Sequence, residues 1–461
     1  MVKNCRLASG IEQKVSLPFS KDGKFKKHIL PWIPQFQIPS PIDDKIVISE
    51  KNVYCIISPS GMGKTAALAR LLSKYPGLII TGSRSNEHDS GETTDSTMKA
   101  FESELMECRK YMIERYAYVR QYVQLVLISH LIHVLRCLDD CKKKPELLTP
   151  FSDNVLSYVG YVQTSGNTSQ CRDIFGQIKE WCSVDITNLR MVTIRLMTQL
   201  TQHDMLKDCQ KKIVVCIDEA NLLEDYPEER FLSIHGDQRG VLAVFSSEID
   251  LLTGTDFATT IYAGTNFSVD VSRVIQWAIG KSESKICTQI ITGLDYLNAK
   301  DLTLFLEKHI RLWNEDIDEL EKSRSLPIRR RQAAIIIEKI SENAMSSAAL
   351  KLSDIMNEAG EIMKEDIKAN ITKSILKSEQ REEYTESLIQ ALFQYIVHYK
   401  HKEFLGDTFR VQNDRLATCL IASGFAPAIT FNQSHSVYQF EARDYLSYDL
   451  ACEMLSDLDR E

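Results

Sequence analysis

Three separated clusters of residues have the types and spacing to act on a phosphate anhydride. The first is Ser58, Pro59, Ser60, Gly61, Met62, Gly63, Lys64, Thr65 and Ala66, within residues 53–72, VYCIISPSGMGKTAALARLL. A phosphate chain needs backbone N–H groups converging on it. Gly61 and Gly63 allow the dihedrals and the close approach that side chains would block. A helix starting at the lysine adds its free N–H groups and positive dipole end. Lys64 would then reach the β- and γ-phosphates of ATP, and the Thr65 hydroxyl would be a ligand of Mg²⁺. The pattern departs from G-x-x-x-x-G-K-[ST] at its first position, where Ser58 replaces Gly.

The second cluster closes residues 211–224, KKIVVCIDEANLLE, where the apolar run 213–217 ends in Asp218 and Glu219. Asp218 is the candidate Mg²⁺ ligand, through its water shell, and Glu219 the candidate group that polarises an attacking water. The third is made of sensors. Thr265 and Asn266 follow the apolar run ATTIYAG and could orient that water against the γ-phosphate. Arg329, Arg330 and Arg331 precede the apolar stretch AAIIIEKI, and an arginine entering the phosphate pocket would stabilise transition-state charge. Arg329 and Arg331 are the two expected to couple phosphate to a lid.

These residues need elements to hold them. VYCII reads as a buried strand, SPSGMGKT as a turn and the Ala- and Leu-rich segment from Thr65 as a helix. Further buried strands are expected at KIVIS, LIITG, IVVCI, ATTIYAG and CTQIITG. In a parallel sheet the Asp-Glu pair lies at the strand end where helix N-termini and ligands gather. The fold class expected is therefore α/β, a P-loop NTPase parallel sheet flanked by helices.

Four segments follow. Residues 1–45 form an extended basic and proline-rich arm, in which Pro31, Pro34, Pro39 and Pro41 exclude a helix or central strand, and Trp32 and Ile33 pack on the next domain. Residues 46–292 form the P-loop core, with a long helix from about Thr97 to Cys141, loop-rich residues 142–172 and a helix from Leu189. Residues 293–378 form a helical lid opened by Asn298 as an N-cap with Asp301 three residues on. Residues 379–461 form a winged-helix-like module of helix, helix, hairpin and helix.

With 461 residues, 44% hydrophobic and 26% charged, the chain can bury a sizeable core in two or three domains. A formal net charge of −8 argues against coating nucleic acid or an anionic membrane. The C-terminal module offers little basic charge and ends in SDLDRE, so a protein partner or self-association is expected there ahead of nucleic acid. The apolar run YVQLVLISHLIHVL is shorter than a bilayer span and reads as a buried helix; the N-terminus lacks an apolar signal region, so an intracellular place, cytoplasmic or nuclear, is expected. The 12 cysteines form no C-x-x-C pair and read as reduced core residues; His133, Cys137 and Cys141 could be drawn as a metal site but lack a second ligand pair.

With SPSGMGKT, IVVCIDE, IYAGTNFS and LPIRRRQAAIIIE in this order, the chain resembles the AAA+ or STAND class of P-loop ATPases. More narrowly it is similar to the ATPase region of Crinkler-type proteins of fungi and oomycetes. Gly264, Thr265 and Asn266 stand for that family's G-T-G-like turn, and Ile328, Arg329, Arg330 and Arg331 for its G-R-x-R. The resemblance covers about residues 45–458, without the family's N-terminal header or its attached nuclease or kinase domain. It implies ATP hydrolysis with Mg²⁺, coupled to lid and C-terminal movement, and relatives that can be secreted effectors. The rival expectations are a nucleotide-loaded switch or scaffold with little turnover, favoured by Ser58 and Ile328, and a nucleic-acid-stimulated ATPase. A small-molecule kinase ranks below these, because such kinases share only the first motif.

Overall fold

The computed structural model describes residues 6–7, 27–34, 37, 45–46, 48, 52–58, 62–82, 97–98, 100, 103, 115–164, 169–180, 185–209, 211–220, 223, 231–232, 238–253, 258–264, 287–292, 296–307, 310–312, 314–322, 327–346, 351–372, 381–411, 414–425, 428–432 and 437–458. In chain order the first elements are β1 (Asn52–Ile57), α1 (Lys64–Leu72), β2 (Gly77–Thr81), α2 (Arg115–Lys143), α3 (Val155–Thr164), α4 (Ser169–Ile178) and α5 (Ile186–Thr201). Then come β3 (Ile213–Asp218), α6 (Val241–Thr253), β4 (Ala258–Gly264) and β5 (Cys287–Thr292).

These five strands form one sheet in the order β2-β3-β4-β1-β5, every neighbouring pair parallel. All six residues of β3 are buried. A strand covered on both faces has no reason to alternate polar and apolar residues, which is why β1 and β3 read as continuous apolar runs. Their side chains still alternate between two cores. Tyr54, Ile56, Ile79, Val214, Cys216 and Ile261 face one, and Val53, Cys55, Ile57, Leu78, Val215, Ile217 and Tyr262 face the other.

The second core is covered by the helices inserted between β2 and β3, together with α6. Helix α2 packs on α4, α5 and α6. Glu248 of α6 has no exposed side-chain surface and receives Arg120 at 2.5 Å, Arg190 at 2.8 Å and Gln124 at 2.9 Å, which pins these three helices together. Burial alone would raise this carboxyl, but Arg190 and Arg120 hold it below its ordinary value. Most of α2 is buried, although it is long and apolar enough to cross a membrane.

The first core is covered by α1 and by the chain after the sheet: α7 (Ala299–Glu307), α8 (Asn314–Lys322), α9 (Arg330–Ser346) and α10 (Leu352–Ile371). Asn298 caps α7 as expected, its Oδ1 accepting the Asp301 N–H at 2.9 Å. The last part contains α11 (Arg381–Lys400), β6 (Thr408–Val411), α12 (Asp414–Ser423), β7 (Ala428–Asn432), β8 (Val437–Glu441) and α13 (Tyr445–Leu458). Strands β6, β8 and β7 form an antiparallel sheet in that order. Helix α10 packs on α9, α12 and α13, so the helices after the main sheet and the C-terminal sheet share one core.

Four local expectations are corrected. Within residues 142–172, expected to be loop-rich, Pro145–Phe151 is a 3₁₀ helix and Val155–Thr164 an α-helix, and a further helix starts at Ser169; the Gly160 and β-branched content of VLSYVGYVQT lowers its intrinsic propensity, and packing on β2 overrides it. Among the described residues of KIVIS, Lys45, Ile46 and Ile48 are not in a strand. Strand β6 was not expected at all. Finally, Lys27–Trp32 is a 3₁₀ helix with Pro31 inside it, against the extended arm that the prolines suggested. A 3₁₀ turn has so few internal hydrogen bonds that one proline removes little. Trp32 is 1% exposed and sits over Gly160, while the segment touches α1, α3 and α9.

Candidate functional site

Strand β1 delivers the chain to the loop and α1 takes it away, so the loop lies at the C-terminal end of the parallel sheet. Gly63 is the N-cap of α1 with φ 96 and ψ 32, a left-handed conformation that any side chain would strain. Its carbonyl accepts the Ala67 N–H at 2.9 Å, which starts the helix. Ser58 and Met62 are buried, Gly63 and Ala66 are half-buried, and Thr65 is exposed. Pro59, Ser60 and Gly61 lie outside the described residues.

Lys64 is only 5% exposed, and its Nζ donates to the Ser58 carbonyl at 2.8 Å. Burial pushes its pKa down, while the charges of Glu219 and Asp218 push it up. Thr65 Oγ1 donates to Asp218 Oδ2 at 2.7 Å, across 153 positions of sequence. That contact joins the first turn of α1 to the tip of β3, two strands away in the sheet.

Asp218 is 3% exposed, and its pKa rises from 3.8 to about 6, chiefly through burial and next through Glu219, with Thr65 and Lys64 opposing. Its Oδ1 accepts the Glu219 N–H at 3.1 Å. Glu219 is half-buried and has φ 48. A non-glycine residue held in the left-handed region costs roughly 1–2 kcal/mol, and such strain clusters at functional sites. It persists because both flanks are pinned: Asp218 O accepts the Gly82 N–H at 2.9 Å, and Ala220 N–H donates to Ala263 O at 2.9 Å.

Strand β4 lies between β1 and β3, with Gly264 opposite Ile57 in register. Thr265 and Asn266 follow it and lie outside the described residues. The arginines fall in three different places. Arg329, expected at the phosphate, is buried and bonded to Gly424, Phe425, Asp444 and Ser447 of the C-terminal part. Arg331, also expected there, is exposed and pairs with Asp366 at 3.1 Å. Both assignments to the pocket are corrected. Arg330 is the arginine at the loop: a Cβ on Gly63 would stand 2.5 Å from its Cδ and 3.4 Å from its Cβ. Successive helical residues are about 100° apart, so three adjacent arginines must point three ways. The sequence carries no signal that selects the middle one.

The residues suit a Mg²⁺-bound nucleoside triphosphate. A buried carboxylate and a hydroxyl supply hard oxygen ligands. Ser58 Oγ is buried with no hydrogen-bond partner, and the backbone at Gly63 has room for no side chain. Among the described residues no three or more His, Cys, Asp or Glu are brought together as a metal-holding cluster, His133, Cys137 and Cys141 included. Cys137 instead lies 3.8 Å from His133, with burial raising its thiol to about 12.

No protein-family model matches the chain, and no curated protein matches it in sequence. The chain is similar to two solved structures at low identity. One is a Walker-type ATPase of Pyrococcus abyssi, 13% identical, with a TM-score of 0.41 over 95% of this chain and 99% of that one. The other is the ORC1 protein of Aeropyrum pernix in complex with DNA, 9% identical, with a TM-score of 0.33 over 94% of this chain and 98% of that one. These identities are too low to carry any residue role across.

Proposed function

We propose that the chain is a P-loop ATPase of AAA+ or STAND type, which binds Mg²⁺ and ATP at the β1–α1 turn and hydrolyses the terminal phosphoanhydride. The observation that carries this is the Thr65–Asp218 hydrogen bond of 2.7 Å, with Lys64 buried beside it. A loop lysine, a loop hydroxyl and a strand-end carboxylate meet there although two of the three are encoded about 150 residues from the other. The sheet order supports the same reading, because it places β4 between the loop strand and the acid strand.

In this reading Thr65, and Asp218 through water, would hold Mg²⁺, which when bound would supply positive charge against the triphosphate. Lys64 exchanges the Ser58 carbonyl for phosphate oxygens, and Ser58 to Ala66 supply backbone donors. Glu219 Oε accepts the proton of the attacking water. Arg330, from the start of α9, contacts the terminal phosphate, and Thr265 or Asn266 orients the water. Residues 46–292 act as the core, 293–378 as a lid and 379–461 as the module that lid movement displaces, with 1–45 an arm on the core. A protein partner or second copy suits the acidic C-terminal end better than nucleic acid does.

Calorimetry with Mg·ATP on wild type and Lys64→Ala tests the binding half. Loss of binding in the variant is expected, since a charge-assisted phosphate contact disappears. Equal binding by both proteins would refute the site. ATP bound by wild type without turnover would leave the switch reading instead.

A further inference from the structure

Arg329 and Arg330 are adjacent, yet one side chain enters the C-terminal module and the other lies on the phosphate-binding turn. The Arg329 guanidinium donates to the Gly424 carbonyl, to the Phe425 carbonyl at 2.9 Å, to Ser447 Oγ at 2.9 Å and to Asp444 Oδ2 at 3.0 Å. Asp444 is itself fixed. Its Oδ1 accepts the Ser447 N–H at 2.6 Å, its carbonyl accepts the Tyr395 hydroxyl at 3.2 Å, and Ser447 Oγ donates to the Phe425 carbonyl. Both partners of the ion pair are almost wholly buried, at 1% and 2% side-chain exposure.

The backbone leaves little slack on either side of this pair. Ile328 is bridged to Leu297 in both directions, at 2.8 and 3.0 Å, which ties it to the segment after β5. Arg330 is already the first residue of α9. Helices α10 and α13 are also linked, through Lys364 to Asp449 at 3.0 Å and Glu453 at 3.2 Å, and through Lys368 to Glu453 at 2.6 Å and Asp457 at 2.9 Å. Strand β7 touches the main-sheet edge strand β5. Movement of the C-terminal module against the sheet therefore has two outcomes. Either the Arg329 bonds break inside the core, or they drag the first turn of α9, and with it Arg330, across Gly63.

We propose that the Arg329–Asp444 ion pair is the coupling element through which the C-terminal module sets the position of Arg330 on the phosphate-binding turn. Nucleotide state and module position then bias one another, because a coupling between two sites is reciprocal. Arg329 acts as a positioning residue: it works through its neighbour and touches no phosphate. The proposal rests on the reading of the β1–α1 turn as a nucleotide site and of Arg330 as its phosphate contact.

The test uses the full chain as wild type, Asp444→Asn, Arg330→Ala and the double variant, with Mg·ATP and Mg·ADP affinities measured by calorimetry. Asp444→Asn keeps the side-chain shape and removes the charge. It is expected to lower the ATP-to-ADP affinity ratio by about fivefold or more, and by no more than about twofold when Arg330 is already Ala. An unchanged ratio, or an equal change in both backgrounds, overturns the coupling. If Asp444→Asn does not fold, Ser447→Ala takes its place, with a smaller shift expected in the same direction. Amide exchange without nucleotide separates the two ideas. Faster exchange at residues 62–68 in Asp444→Asn supports the link even if wild type binds no nucleotide, a result that would refute the site alone. Unchanged exchange there in a protein that binds no nucleotide overturns the link as well.

Discussion

Gly63→Ala tests the geometry of the site before any nucleotide is added. Two costs can be worked from the structure. The first is local: Gly63 has φ 96, and an L-residue in the left-handed region costs about 1–2 kcal/mol. The second is a clash, since the new methyl would stand 2.5 Å from Arg330 Cδ. Overpacking of this kind costs about 1–3 kcal/mol, at the lower end here because the arginine can swing away. Truncating Arg330 to Ala removes Cδ and leaves only its Cβ at 3.4 Å, an accommodable contact. Gly63→Ala should therefore destabilise the wild-type chain by about 2–4 kcal/mol, but the Arg330→Ala chain by only about 1–2 kcal/mol. Urea unfolding of the four proteins, in the absence of nucleotide, reads this directly through the transition midpoints. Equal destabilisation in the two backgrounds would mean that Arg330 does not lie on the turn.

With Asp218 near 3.8 unfolded and about 6 folded, the folded chain holds the extra proton between those values, so this carboxyl favours folding fully below about 4 and loses that contribution as pH rises through about 6; Mg·ATP needs the ionised form, and calorimetry at pH 6 in buffers of different ionisation enthalpy should show proton release on binding. Glu219→Gly should raise unfolding stability by up to about 1 kcal/mol by relieving the φ of 48, while abolishing phosphate release; a stability loss would show that the left-handed backbone carries no strain. Gly160→Ala places a methyl 2.0 Å from the Trp32 ring and should cost about 1–3 kcal/mol with a change in tryptophan emission, whereas no change would mean that the 3₁₀ segment is not docked on α3.

The strand Asn52–Ile57, the helix that follows it and the strand Ile213–Asp218 were legible because their burial is written in a few consecutive residues. In SPSGMGKT the residue before the lysine is a glycine, which the left-handed N-cap of α1 requires, and IVVCIDE is apolar up to its acidic end. Asn298 was legible for a similar reason, as an N-cap interaction spans only three residues. The arginines were not. The place of Arg329 depends on partners 95 to 118 positions later, at Gly424, Phe425, Asp444 and Ser447, that of Arg331 on Asp366, 35 positions later, and that of Arg330 on Gly63 far upstream. The helix Val155–Thr164, inside a stretch that reads as loop-rich, was not legible because local propensity is outweighed by packing against β2 and Trp32. Strand β6 was missed because TFRV is only four residues long and acquires strand form by pairing with β8.

Phosphate release from Mg·ATP by wild type, Lys64→Ala and Glu219→Gln, with bound nucleotide quantified in each, tests the central claim most directly. Multiple turnovers are expected in wild type, no turnover in either variant, and ATP retained by Glu219→Gln but not by Lys64→Ala. Turnover that survives Glu219→Gln, or nucleotide that binds equally well to Lys64→Ala, would contradict it.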